Sequence, residues 1–510
     1  MSKSENDPLF LLIKSLNKSE KRHFSLYVGR MEGGKHTQYL ALFRAMDAMQ
    51  FSDEEALRRK LKLTDPVKHA NLKRHLFRQI MISLRLIHTD KHVDNQIREQ
   101  IDYARILYAR GMYMQSLRLL ENVKSVAVEN HQDILHLEIL EFQKLIETRH
   151  ITRSRQIANK MEQLLEETAR RSAISYSSSV LSNLTIQIHG WYIERGHALS
   201  DNDRKEVANQ FLKHFPSEDN IRQFTFFEKI NVYQARSWFY YILLDLTRAA
   251  EQAEKWVNTY RENPGMLKHD PDLYLRGLYY LLTFLYLGKK SDTYSSYHLF
   301  LKQFVGDHSK RLPFSTSLLA FQYSYLATLN QCFLDKQYTL ARSYLKSQRE
   351  ELQRFSPYMD THRVLLLHYK AAYVYFVCGD IPSTLDRLNE IIHRQQKFLR
   401  TDLHFNSRLL HLLCHYELGN NDFATSLLLA MQRAFAPSLE VTPLQRLILK
   451  FIKVLIHSPE KDRKEVLRQM KVQVAMQGED LTELRSIAYL NFPAWLESRI
   501  AGKPMKDMLA

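Results

Sequence analysis

The residues best suited to chemistry lie near the N-terminus. Over residues 66–88, Asn71, Arg74, Arg78 and Arg85 fall on one stripe of a helical wheel, with Lys68 and His75 beside it. Leu76, Phe77, Ile80, Met81, Leu84 and Ile87 take the opposite side at i, i+3, i+4 spacing. Just upstream, Arg58, Arg59, Lys60 and Lys62 end a segment over 53–62, joined to the next by Leu63-Thr64-Asp65. A row of cations binds phosphates, and Arg or Asn side chains read base edges. Two helices and a short turn would make a helix-turn-helix-like unit near 53–88. Any solvated amphipathic helix carries a similar stripe, the turn has no glycine, and no β-wing follows. The chemistry on offer is recognition of nucleic acid or another anionic partner. Arg58, Arg59, Lys68, Asn71, Arg74, Arg78 and Arg85 are the candidate contacts.

Two other patterns are weaker. Gly29-Arg30-Met31-Glu32-Gly33-Gly34-Lys35-His36 resembles a phosphate-binding loop, but His36 stands where Ser or Thr belongs. Such a loop also follows a β-strand, and here a helical pattern precedes it. His411 and His415 share a helix face with Cys414 between them, and His88 and His92 repeat the i, i+4 spacing. A structural zinc site needs four ligands, and only His404 lies near enough in sequence to assist the first group. HExxH and G-x-S-x-G are absent, and the acidic residues are scattered over polar helix faces. No catalytic residue, cofactor or metal site is assigned, and the chain is read as a non-enzyme.

The elements that would position the basic stripe follow from composition. The chain has 510 residues but only 14 glycines and 13 prolines. Typical usage is roughly 7% and 5%. Scarce turn residues exclude sandwiches, barrels and propellers and leave long helices with short connections. With no period-2 strand pattern, the expected fold class is all-α. Asn17 with Glu20 and Ser52 with Glu55 read as capping boxes. Thr442-Pro443 and Ser458-Pro459 read as a cap followed by proline at the first helical position. Helices are expected near 8–16, 18–31, 36–50, 53–62 and 66–88, and three more after residue 441. Trp495, Leu496 and Ile500 are expected to pack on the preceding repeat.

Charge and targeting bound the setting. The net charge is +16, and residues 1–100 hold 19 Lys and Arg against 12 Asp and Glu, so the excess is densest there. The three cysteines, Cys332, Cys378 and Cys414, are far apart, which suits a reducing compartment. MSKSENDP has no apolar signal core, and the longest apolar run is about half the roughly 20 residues a membrane span needs. The expectation is a cytoplasmic protein with no membrane partner. The oligomeric state stays open.

One pattern recurs along the chain. An aromatic-rich helix runs into a short turn, and a second helix opens with an aromatic or small residue. The turns fall near Gly111, Gly196, Asp245, Gly288, Lys336, Gly379 and Gly419. After Gly196 the step is roughly 40–49 residues. The gap before it holds one weaker turn near His150 to Ser154. Gly111 with Tyr113 and Ser116, and Tyr338 with Ala341, are the best examples. This pattern resembles the tetratricopeptide (TPR) helical repeats over residues 97–435. The period is longer than the usual ~34 residues, and the closing proline is missing apart from Pro264. The resemblance implies a right-handed α-solenoid of TPR-like helix pairs whose concave groove binds a peptide or partner protein. Residues 1–95 form a separate basic helical N-terminal domain, 96–440 the repeats, and 441–510 a C-terminal helical cap. The leading function is a protein-interaction scaffold or adaptor. The alternative is a transcriptional regulator, with DNA at the N-terminal unit and a TPR-like sensor behind it.

Overall fold

The computed structural model describes residues 7–30, 35–61, 65–88, 92–150, 160–198, 200–309, 312–393, 401–435, 443–477 and 490–509. Among them all regular structure is helical and no strand forms. Lys62, Leu63, Thr64, Gly33, Gly34 and Thr442 lie outside the described residues. The chain divides into two compact units. The first comprises residues 1–196, 208–242 and 251–277, and the second residues 197–207, 243–250 and 278–510.

The first unit opens with α1 (Pro8–Ser15), α2 (Lys18–Gly29), α3 (Lys35–Ala48), α4 (Glu54–Lys60) and α5 (Pro66–His88). These ranges follow the sequence expectation to within two residues at each end. Asn17 and Glu20 form the expected capping box, closed by hydrogen bonds of 2.8 and 2.9 Å. At α4 the cap is one residue later than expected. Asp53 accepts from the backbone N–H of Ala56 at 2.9 Å, and no reciprocal Glu bond is needed. Ile13, Phe24, Leu42, Phe43, Leu76 and Ile80 bury into one core.

Next come α6 (Val93–Ala109), α7 (Tyr113–Glu129) and α8 (Asp133–Arg149), each 17 residues long. Helix α7 packs on α6, and α8 on α7. A 36-residue helix, α9 (Lys160–Arg195), follows and packs on α8. Then come α10 (Asp201–Phe211), α11 (Glu218–Gln223), α12 (Phe226–Ile242), α13 (Leu246–Glu262), α14 (Met266–His269) and α15 (Pro271–Leu287). Trp256 and Gly277 explain each other. A Cβ on Gly277 would sit 3.1 Å from the buried indole, a tight contact that any side chain there would relieve only by shifting the ring.

The second unit continues with α16 (Ser291–His308), α17 (Phe314–Leu334), α18 (Tyr338–Ser347), α19 (Arg349–Phe355), α20 (Thr361–Val377), α21 (Ile381–Ile392), α22 (Thr401–Glu417) and α23 (Asn421–Phe435). It ends with α24 (Pro443–His457), α25 (Arg463–Gln477), α26 (Phe492–Ala501) and α27 (Met505–Met508). Ser458-Pro459 does not open a helix as expected. Pro459 starts a turn, with its carbonyl accepting from Asp462 N–H, and the helix begins at Arg463. Among the described residues four helices follow residue 441, one more than expected. Trp495 and Leu496 do join the core built by α22 and α23, and Ile500 packs against it.

The turns carry a backbone signature. Left-handed residues sit at Gly111, His131, Gly196, Leu244, Lys289, Lys336, Gly379, Gly419 and Gly502. At Gly379 the residue's N–H reaches back to Phe376 O, and the next N–H, of Asp380, to Tyr375 O, both at 2.9 Å. This is the Schellman arrangement, which satisfies the last carbonyls of a helix. The same pair of bonds closes the turns at Gly111, His131, Lys289, Lys336 and Gly419. Two details differ from expectation. At the fourth expected turn the left-handed position is Lys289, not Gly288. In the long first gap, where the expected weaker turn near His150 to Ser154 lies mostly outside the described residues, a turn forms at His131. Its left-handed conformation costs a non-glycine residue about 1–2 kcal/mol, so composition gave no sign of it.

Candidate functional site

The N-terminal stripe is presented by a firmly held helix. Lys73 Nζ pairs with Asp7 Oδ2 at 2.7 Å, and His88 Nε2 lies 2.7 Å from Glu20 Oε1. His23 Nδ1 meets Ser83 Oγ at 2.8 Å, and the Tyr27 hydroxyl donates to Gln79 Oε1 at 3.0 Å. These contacts lock the inner face of α5. His69 is buried 3.3 Å from Glu54 Oε1, and burial pushes its imidazole below the usual range. The outer face is then fixed by helix geometry.

On that outer face Lys68, Asn71, Arg74, Arg78 and Arg85 are all exposed. Arg74 donates to Asn71 Oδ1 at 3.0 Å, so the two form one polar unit. On α4, Arg59 is exposed and Arg58 half-buried. Helix α4 packs on α3, while α5 packs on both α2 and α3. The apolar side differs from expectation. Leu76 and Ile80 are buried and Leu84 is partly so, but Phe77 and Met81 are 45% exposed. They stand beside the arginines, because their wheel positions lie outside the arc that α2 and α3 cover. The exposed surface is therefore basic and apolar together.

The His411 group closes on itself. The His411 and His415 rings sit 4.7 Å apart and His415 abuts Phe423 at 4.6 Å. Cys414 is fully buried in the apolar core, and burial pushes its thiol up. Burial brings His411 down to about 4. Among the described residues no three His, Cys, Asp or Glu are placed to hold a metal ion.

In the first unit, two half-buried cations have acids beside them. Arg171 meets Asp133 at 2.7 Å, and Lys124 meets Glu121 at 2.8 Å and Glu167 at 3.4 Å. The second unit holds an exception that sequence reasoning missed. Arg363 and Lys370 lie two turns apart on one face of α20. The Arg363 guanidinium lies 5.0 Å from the Tyr279 ring centre and 5.9 Å from that of Tyr323. It donates to the Tyr279 hydroxyl at 2.8 Å, and the two tyrosine rings stack at 4.2 Å. The Lys370 ammonium lies 4.8 Å from the Tyr286 ring and 5.0 Å from Phe333, and donates to Asn330 Oδ1 at 3.1 Å. Neither cation has a carboxylate partner among the described residues. Burial alone pulls Lys370 down to about 8.

The arrangement is a two-layer ladder. Tyr279, Tyr323 and Arg363 form one layer, and Tyr286, Asn330 and Lys370 the next. On each of α15, α17 and α20 the second residue follows the first by seven, which is about two helical turns. The signal was in the sequence. Residues 314–334 contain no charged residue at all, and 361–377 contain Arg363 and Lys370 with no acid. A search keyed to catalytic motifs does not weigh a missing counter-charge.

Among the described residues no helix is long and apolar enough to cross a membrane. Comparison with models of protein families, with curated proteins and with solved structures finds no match for this chain.

Proposed function

We propose that this chain is a protein-interaction scaffold, built from TPR-like helical hairpins that stack as a right-handed α-solenoid, and that it docks a segment of a partner protein. The observation that carries the reading is the recurring hairpin. Left-handed turns at Leu244, Lys289, Lys336, Gly379 and Gly419 each join a long helix to its successor. A helix pair of this kind cannot bury its apolar faces alone, so its neighbours must stack on it. The full-length chain is expected to retain a stoichiometric protein partner through washes at physiological salt. Retention of nothing specific would count against the scaffold.

The outward face of α5 favours a second reading, in which the N-terminal unit binds nucleic acid and the repeats sense a partner. Its exposed Lys68, Arg74, Arg78 and Arg85 suit phosphates, and Phe77 offers a ring beside them that could stack on bases. Full-length chain on duplex and single-stranded DNA should then show affinity that falls steeply with salt. Arg74→Glu, Arg78→Glu and Arg85→Glu together should abolish it. A flat salt series, or binding unchanged in the triple variant, would remove this reading.

A further inference from the structure

Arg363 and Lys370 present an unusual balance of charge. An unpaired charge taken from water costs several kcal/mol, and a cation held over aromatic rings recovers only about 0.5–2 kcal/mol. The protein holds two such cations on one helix face, each over two rings and each without an acid among the described residues. Elsewhere two half-buried cations, Arg171 and Lys124, meet carboxylates at 2.7–2.8 Å. Both residues remain partly open to solvent, as do Tyr279, Tyr286 and Phe333 around them. Among the described residues, what the two cations touch is neutral: the Tyr279 hydroxyl, the Asn330 amide and ring faces. What the site lacks is negative charge, in two places.

We infer that the ladder on α15, α17 and α20 is a binding site for an extended acidic peptide segment of the partner, with two carboxylate side chains three residues apart. Seven residues of helix separate the cations by about 10 Å, and three residues of chain extended as polyproline II make one full turn and advance about 9 Å, so carboxylates at i and i+3 face the same way. One carboxylate meets Arg363 as a two-pronged acceptor. The other meets the Lys370 ammonium. The uncharged residues between them lie over the stacked tyrosines and Phe333. The site spans only two layers of side chains, so four residues of extended chain fill it, whereas a helical ligand would need two turns to offer the same pair. This inference rests on the scaffold reading and names the ligand that reading leaves open.

The test uses the full-length chain and a displayed library of random twelve-residue peptides. Selected peptides should be enriched in Asp or Glu at positions i and i+3. Changing either acid to Gln or Asn, or moving them to i and i+2, should weaken binding about tenfold or more. Arg363→Met and Lys370→Met should each do the same, and the double variant should lose the acidic enrichment altogether. Because Lys370→Met removes an unpaired cation, the variant should fold at least as well as the parent, so a loss of binding reports the site. Peptides without paired acids, or paired acids that bind both variants as tightly as the parent, would overturn the inference and leave the scaffold standing. Selection of no peptide by the parent chain would overturn both.

Discussion

Lys370→Met should raise the thermal stability of the second unit by about 1–3 kcal/mol at pH 7. The ammonium sits among Tyr286, Phe333 and Asn330, with no acid among the described residues to offset its desolvation. Its pKa falls from an ordinary 10.5 to about 8. At about 1.4 kcal/mol for each tenfold change, keeping the proton at neutral pH costs on the order of 3 kcal/mol, reduced by the solvent access the residue retains. Methionine fills similar volume and needs no proton. The pH dependence fixes the sign. The folded chain holds this proton less tightly than the unfolded one, so the penalty is complete below pH 8. It fades as pH rises from 8 to 10.5, and the parent gains stability over that window while the variant does not. Burial also raises the neighbouring tyrosines, Tyr338 to about 12, but they titrate in both chains and cancel in the comparison. Thermal midpoints of parent and variant should therefore differ most at pH 7 and converge toward pH 10. A lower midpoint for the variant, or parallel curves, would contradict this account of Lys370.

Trp495→Ala should be the most damaging single change at the C-terminal end, at about 3–5 kcal/mol. Trp495 is 1% exposed on α26, among Leu412, Leu413, Leu444 and Phe492 of one core. Its indole N–H donates to Glu417 Oε1 at 2.8 Å, and the other oxygen of Glu417 takes the Arg499 guanidinium. Truncation opens a cavity the size of an indole and removes half of the support of a largely buried carboxylate. Trp495→Phe keeps most of the volume and loses the hydrogen bond alone, so it should cost nearer 1–2 kcal/mol. Thermal unfolding and limited proteolysis would rank the two. Alanine within about 0.5 kcal/mol of the parent would mean that α26 does not hold this end of the unit closed.

Element type was legible because helical periodicity is strong and turn residues are rare. The N-terminal helices were placed to within two residues, since Asn17 with Glu20 marks one start, while at the next capping box the cap is Asp53 and not the expected Ser52. Turns were legible where glycine marks them, as at Gly111, Gly379 and Gly419. They were less so at His131, Leu244 and Lys289, where the chain accepts left-handed strain in a residue with no compositional flag. Periodicity assigned Phe77 and Met81 to the core, but which wheel positions are covered depends on where α2 and α3 lie, and that is tertiary information. The Arg363 and Lys370 ladder needed three helices from different parts of the chain to come into register. The sequence holds its ingredients, an uncharged helix over 314–334 and an acid-free one over 361–377, but not their alignment.

The central claim is that a partner docks across the first helices of successive hairpins. The most direct measurement is cross-linking mass spectrometry on the full-length chain with the partner it retains at physiological salt. The account predicts cross-links that cluster around residues 279–286, 323–333 and 363–370 and disappear in the Arg363→Met, Lys370→Met double variant. Cross-links confined to other surfaces, or unchanged in the double variant, would contradict it.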